Sequence, residues 1–143
     1  MLQHAISLLN EDTCSVAVIT RAEGVYTDIG LSVRPLYYIY EAHKDAIRGA
    51  CVADKVVGKA AAALLCDAGV SAVYGGVMSE SALSLLNSFG ISARWSTLVP
   101  HIQNRKGDDL CPMEKTVLDC DDPAECARRI GEFIATHQPP AAN

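Results

Sequence analysis

Cysteine, acids and cations crowd into one stretch of this chain, Asn104-Arg105-Lys106-Gly107-Asp108-Asp109-Leu110-Cys111-Pro112-Met113-Glu114-Lys115. Proline suits the first position of a helix, where its missing N–H would have no partner. Cys111 is therefore expected at a helix N-terminus, where the backbone dipole favours a thiolate. Arg105, Lys106 and Lys115 push in the same direction, whereas Asp108, Asp109 and Glu114 push against it. The chemistry this suggests is nucleophilic attack by sulfur, or a thiol that orients a ligand. A nucleophilic cysteine needs a base, and no histidine of the sequence is placed for that role. Asn104 and Arg105 stand in the polar segment before Cys111. An arginine fork there suits a phosphate or carboxylate, and Glu114 is grouped with them as a ligand-binding residue.

Two further groups carry chemistry. Asp54 precedes Lys55-Val56-Val57-Gly58-Lys59-Ala60, and is read as the cap of a helix from about Lys55 to Asp67. As an acid at the mouth of a site it would serve as general acid or base. On that helix Lys55 and Lys59, four apart, would share a face and could clamp an anion. Gly58 would sit uncomfortably inside the helix, which suggests close approach by a ligand or another backbone. Ser79-Glu80 is the second group, a capping serine followed by an acid in the first turn. The segment Gly58-Lys59-Ala60 does not make a phosphate-binding loop of the Walker type, because Ala60 stands where a hydroxyl would hold magnesium.

The elements that must position these residues alternate helix and strand. Leu2 to Leu9 has helical spacing, Cys14 to Thr20 reads as a strand, and Arg21 to Gly24 as the turn into a partner over Val25 to Ile29. Arg34-Pro35 opens a helix, and Ala50 to Ala53 is a short buried strand. Gly69 ends the helix that Asp54 caps. Val70 to Val77 is a strand, Ser79 caps a helix closed by Gly90, and Ile91 to Leu98 is a strand with Trp95 partly buried. Asp122-Pro123 opens the last helix. The rhythm from residue 54 to residue 98 implies a βαβ crossover in a mixed sheet with helices on its faces. One domain over residues 1–137 is expected, with 138–143 as a flexible tail.

Composition narrows the function. The 143 residues are 50% apolar and 20% charged, with a net charge of −5. That balance fits a globular protein and argues against a nucleic-acid polymer as partner. The opening Met1-Leu2-Gln3-His4 has no basic region, so the six cysteines are expected as reduced thiols in a cytoplasm. No apolar run is long enough for a membrane span. No Cys-x-x-Cys pair supplies a structural metal site.

Three blocks, Ala53-Asp54-Lys55-Val56-Val57-Gly58-Lys59-Ala60-Ala61-Ala62, Gly76-Val77-Met78-Ser79-Glu80-Ser81-Ala82-Leu83 and Asn104 through Lys115, resemble a prokaryotic family of unassigned function within the cytidine deaminase-like superfamily. The resemblance spans residues 10 to 135 and implies a three-layer α/β/α fold, in which homo-oligomers are common. Zinc deaminases carry His-x-Glu or Cys-x-Glu at one helix start and Pro-Cys-x-x-Cys at the next. Here the corresponding positions read Val52-Ala53-Asp54 and Val77-Met78-Ser79-Glu80-Ser81, without zinc ligands. The expectation is an enzyme that acts on a small anionic or nucleotide-like molecule without metal or cofactor. Asp54, Cys111 and Glu80 are its catalytic candidates. Lys55, Lys59, Ser79, Asn104, Arg105 and Glu114 are its ligand-binding ones. The alternative is a regulatory domain that binds such a ligand without catalysis, and a third reading, behind both, is a zinc-dependent deaminase.

Overall fold

The computed structural model describes residues 1–137; the expected tail over 138–143 lies outside them. The element order is α1 (Leu2–Asn10), β1 (Val16–Ile19), β2 (Val25–Asp28), α2 (Arg34–His43), β3 (Cys51–Val57), α3 (Lys59–Ala68), β4 (Ala72–Ser79), α4 (Glu80–Ser88), β5 (Ser92–Val99), α5 (Pro112–Thr116) and α6 (Pro123–Thr136). The strands form one sheet in the order β2-β1-β3-β4-β5. β1 runs antiparallel to both its neighbours, whereas β3, β4 and β5 are mutually parallel. The architecture is a mixed sheet with helices on both faces, a three-layer α/β/α fold.

Alternation along the strands divides the core in two. Ala17, Ile19 and Ala53 meet Ala5 and Leu9 of α1 on one face. Val16, Val18, Val52 and Val73 point the other way, into the larger core formed with α2, α3, α4 and α6. Helix α3 is buried along almost its whole length. Such a helix has to be apolar all round, and the run Ala60 to Leu65 meets that demand.

Several stop and start signals act as their chemistry dictates. Gly69 closes α3 at φ 73°, a left-handed conformation that glycine adopts without penalty, and its amide bonds back to Leu65 and Cys66. Ser79 caps α4 by accepting the Ala82 amide, and Asp122 caps α6 by accepting that of Ala124. The turn before β2 is closed by the Thr20 amide on the Gly24 carbonyl at 2.8 Å.

Asp54 differs from its sequence reading. It stands inside β3, which continues to Val57, and α3 begins only at Lys59 with Gly58 as its N-cap. Strand wins because Asp54, Val56 and Val57 are paired with Gly75, Val77 and Met78 of β4, and Val16 of β1 faces Asp54 from the other side. Lys55 and Lys59 therefore share no helix face. Gly58 occupies a helix start, not an interior.

The pleat also slips at this point. Val52 and Val57 both reach the larger core, although strict alternation would put them on opposite faces. Paired register lapses at Lys55 and Gly76, where a Cβ on the glycine would lie 2.7 Å from the Lys55 carbonyl oxygen. The glycine is what allows the two strands to approach there. Trp95 departs from expectation too: it is 41% exposed, because β5 forms the sheet edge and most of its residues face water.

Candidate functional site

A cleft of about 750 Å³ opens beside the C-terminal half of β3. Open α/β sheets place their sites at this end of parallel strands. Its walls also come from Ser15, residues 30–34 leading into α2, the start of α3, the loop at 102–105, the start of α5 and the end of α6. Asp54, Cys111, Asn104, Arg105, Lys55 and Glu114 all contribute to the lining, joined by Arg34. Two of the three sequence blocks, those around Asp54 and Cys111, converge here, whereas no residue of Gly76 to Leu83 lines the cleft.

Asp54 is buried among its neighbours, 7% exposed, and no cation is paired with it among the described residues. Its carboxylate accepts only backbone amides, with Val56 N–H at 3.4 Å from Oδ1. Burial pushes the carboxyl up from its ordinary 3.8 to about 7, against the opposing pull of the Val56 and Lys55 amides. A carboxyl in that range can both give and take a proton near neutrality.

Cys111 is the N-cap of α5, with Pro112 at the first helical position, as the sequence suggests. Its amide donates to the Ile102 carbonyl at 3.0 Å, which ties the helix start to the loop. Partly exposed, its Sγ has one polar neighbour among the described residues, Ser32 Oγ at 3.9 Å. Ser32 reaches this position from a backbone with φ 61°, a conformation uncommon for serine and one that tends to cluster at functional sites. The other five thiols are free and buried.

Glu114 has a different role from the one its composition suggested. Its Oε1 accepts the Lys59 amide at 2.7 Å and its Oε2 the Ala60 amide at 2.9 Å. It is a cap for α3 supplied by a helix more than 50 residues away. Gly58 is explained by the same contact, since a Cβ there would lie 2.6 Å from the Glu114 carboxyl carbon. Burial raises the Glu114 pKa, and the two amides oppose the shift.

Other candidates are already occupied or turned away. Lys59 is buried, with its Nζ on the Leu118 carbonyl at 3.2 Å and on Asp121 at 2.9 Å, and it does not line the cleft. Lys55 lines it but pairs with Asp12 at 2.6 Å, an ion pair that holds the Asp12 carboxyl below its ordinary range. Asn104 spends its side chain on its own loop, accepting from Gly107 and donating to Asp108, both at 2.9 Å. Ser79 is buried as a helix cap and Glu80 is exposed, and neither reaches the cleft. Arg105 lines the cleft with no hydrogen bond or ion pair among the described residues.

Two cleft residues carried no functional assignment in the sequence. Arg34 reads there simply as the residue before a helix-starting proline, and His137 as an isolated histidine. Both line the cleft, and Arg34 Nη2 donates to the His137 carbonyl at 2.7 Å. No local pattern could have announced this contact, which joins residues 103 apart.

A zinc ion does not fit these residues. The helix starts that would supply ligands read Gly58-Lys59-Ala60 at α3 and Ser79-Glu80-Ser81 at α4. Among the described residues no three His, Cys, Asp or Glu side chains gather closely enough to hold a metal.

The family model "TM1506: Domain of unknown function (DUF1893)" matches residues 4–134, and the chain belongs to that family. A crystal structure of a DUF1893 family protein from Thermotoga maritima is similar at a TM-score of 0.84 and 28% identity, over 92% of this chain and 88% of that one. A second Thermotoga maritima structure, a diaminohydroxyphosphoribosylaminopyrimidine deaminase/5-amino-6-(5-phosphoribosylamino)uracil reductase, aligns at a TM-score of 0.41 and 15% identity, over 80% of this chain and 39% of that one. No curated protein matches the chain.

Proposed function

We propose that this DUF1893 chain is an enzyme acting on a small anionic, nucleotide-like molecule held in the cleft beside β3. The observation that carries the reading is Asp54: a buried carboxyl with no cationic partner, pushed up to about 7, on the wall of a cleft that also holds a thiol. Structural carboxylates are usually paired or exposed; one that is neither, inside a cleft, is a candidate for proton transfer. Asp54 is the general acid or base, and Cys111 the nucleophile or the thiol that orients the substrate. The sequence blocks that resemble the cytidine deaminase-like superfamily support descent from that fold, with Val52-Ala53-Asp54 and Ser79-Glu80-Ser81 standing where its zinc motifs would. The molecule works in the cytoplasm as a homo-oligomer, without a nucleic-acid or membrane partner.

One observation favours the second reading, a ligand-binding domain without catalysis. The one polar contact of Cys111 Sγ among the described residues is a hydroxyl, and no imidazole, amine or carboxylate there hydrogen-bonds it. Alkylation separates the two. Under the enzyme reading, iodoacetamide modifies Cys111 near neutral pH faster than it modifies a free thiol such as glutathione. A Cys111 rate at or below that of glutathione refutes an activated thiol and leaves the binding role.

A further inference from the structure

We propose that Arg34 is the anchor of the cleft's ligand, and that the ligand is a flat, largely apolar ring carrying an oxyanion, either a carboxylate or a phosphate monoester. The inference rests on the reading of the cleft as a ligand site and names the class of molecule it takes.

Arg34 breaks three structural rules at once. Its Nη1 is shut away from water with no hydrogen-bond partner among the described residues, and it is the one such side-chain nitrogen or oxygen found there. An unsatisfied buried donor is destabilising, the more so when charged. Such a group calls for a missing partner. The residue is also the first of α2, where the helix dipole disfavours a cation. Finally, α2 has no side-chain cap: Val33 precedes it and supplies no acceptor for the free amides. A cation and uncapped amides side by side are both answered by one anion.

The neighbouring groups fix what else the ligand must be. Lys55 and Lys59 are neutralised by Asp12 and Asp121, and Glu114 is held by the α3 amides. Arg34 and Arg105 are therefore the cations left to face an anion in the cleft. The same cleft is lined by the apolar side chains of Leu31, Val33, Ile102 and Phe133. Phe133 and His137 stack with ring centroids 4.0 Å apart and planes 8° from parallel, and the His137 backbone carbonyl holds the Arg34 guanidinium. Planar rings packed in that manner offer a face or edge to another ring. Arg34 already spends Nη2 on the His137 carbonyl, and Nη1, covered by protein here, meets the ligand oxygen once the guanidinium turns toward the cleft it lines.

The test uses the full chain and four probes: phenyl phosphate, benzoate, inorganic phosphate and uncharged benzyl alcohol. Binding is read by titration calorimetry and by amide shifts in NMR. Phenyl phosphate or benzoate is expected to bind at least about tenfold more tightly than benzyl alcohol, consistent with a charged hydrogen bond. Which of the two binds better decides between phosphate and carboxylate. Tighter binding of phenyl phosphate than of inorganic phosphate supports the ring. Arg34→Met should erase the anionic preference and leave benzyl alcohol unchanged, and Arg34→Lys should restore part of it. A folded Arg34→Met that keeps the wild-type preference overturns the proposal, and so does a wild type that binds the anions no better than benzyl alcohol. If Arg34→Met does not fold, Arg34→Lys with unweakened phenyl phosphate and benzoate binding overturns it equally. Iodoacetamide kinetics at Cys111 run in parallel: rapid alkylation with no anion preference defeats Arg34 as anchor while leaving the enzyme reading intact.

Discussion

Replacing Asp54 with asparagine keeps the shape and the acceptor for the Val56 amide while removing the ionisation. In the folded chain the carboxyl titrates near 7, against an ordinary 3.8. At about 1.36 kcal/mol per pH unit that gap corresponds to about 4 kcal/mol, a ceiling for a buried site. The sign follows from proton uptake. Between about pH 4 and pH 7 the folded state holds a proton at Asp54 that the unfolded chain has lost, so stability falls as pH rises through that window. Above about pH 7 both states are ionised and this contribution is flat. Glu114, also raised by burial, adds a slope of the same sign, but it is present in both proteins and drops out of their difference. Urea unfolding of wild type and Asp54→Asn at pH 5 and pH 8 isolates Asp54. The variant should gain about 2–3 kcal/mol on the wild type between those two pH values. A difference that stays constant within about 0.5 kcal/mol would refute a neutral buried carboxyl at this position.

Gly58→Ala should lose about 2–4 kcal/mol in urea unfolding, because the new methyl displaces Glu114 and frees two buried amides; a neutral result would show that the cap is dispensable. Glu114→Ala should lose a comparable amount, and combining it with Gly58→Ala should cost much less than the sum, since both remove the same contact. Ser79→Ala should cost about 1 kcal/mol from the lost α4 cap while leaving phenyl phosphate binding unchanged, because Ser79 lies outside the cleft. Of the six thiols, Cys111 should be the first that iodoacetamide labels in the folded protein, as mass spectrometry of the digested chain would show, the other five being buried.

The sequence made the framework legible where a residue's own chemistry decides its conformation. Gly69 and Gly90 stop helices in a left-handed turn, Ser79 and Asp122 accept first-turn amides, and Pro112 fixes Cys111 at a helix start. Asp54 misled because an aspartate before a lysine-rich segment has the same local signature as a cap and as a buried strand residue. Pairing with β1 and β4 decides the matter, and pairing is not local. Glu80 and Lys59 have suitable chemistry but do not line the cleft. For Lys59 the periodicity counts from the wrong helix start; for Glu80 the helix start is right but says nothing of which segments meet it in space. Glu114 and Arg34 depend on contacts with residues 55 and 103 positions away. For Gly58 the sequence did register discomfort, and the cause proved to be the Glu114 carboxylate.

Proton transfer in this cleft depends on the proton at Asp54. Carboxyl ¹³C chemical shifts of the labelled protein, followed from pH 3 to pH 9, report that proton directly. A midpoint near 7 for Asp54, well above the exposed aspartates, is the predicted result. A midpoint in the ordinary carboxylate range would show that the group is solvated and ionised, and would remove the basis for proton transfer in this cleft.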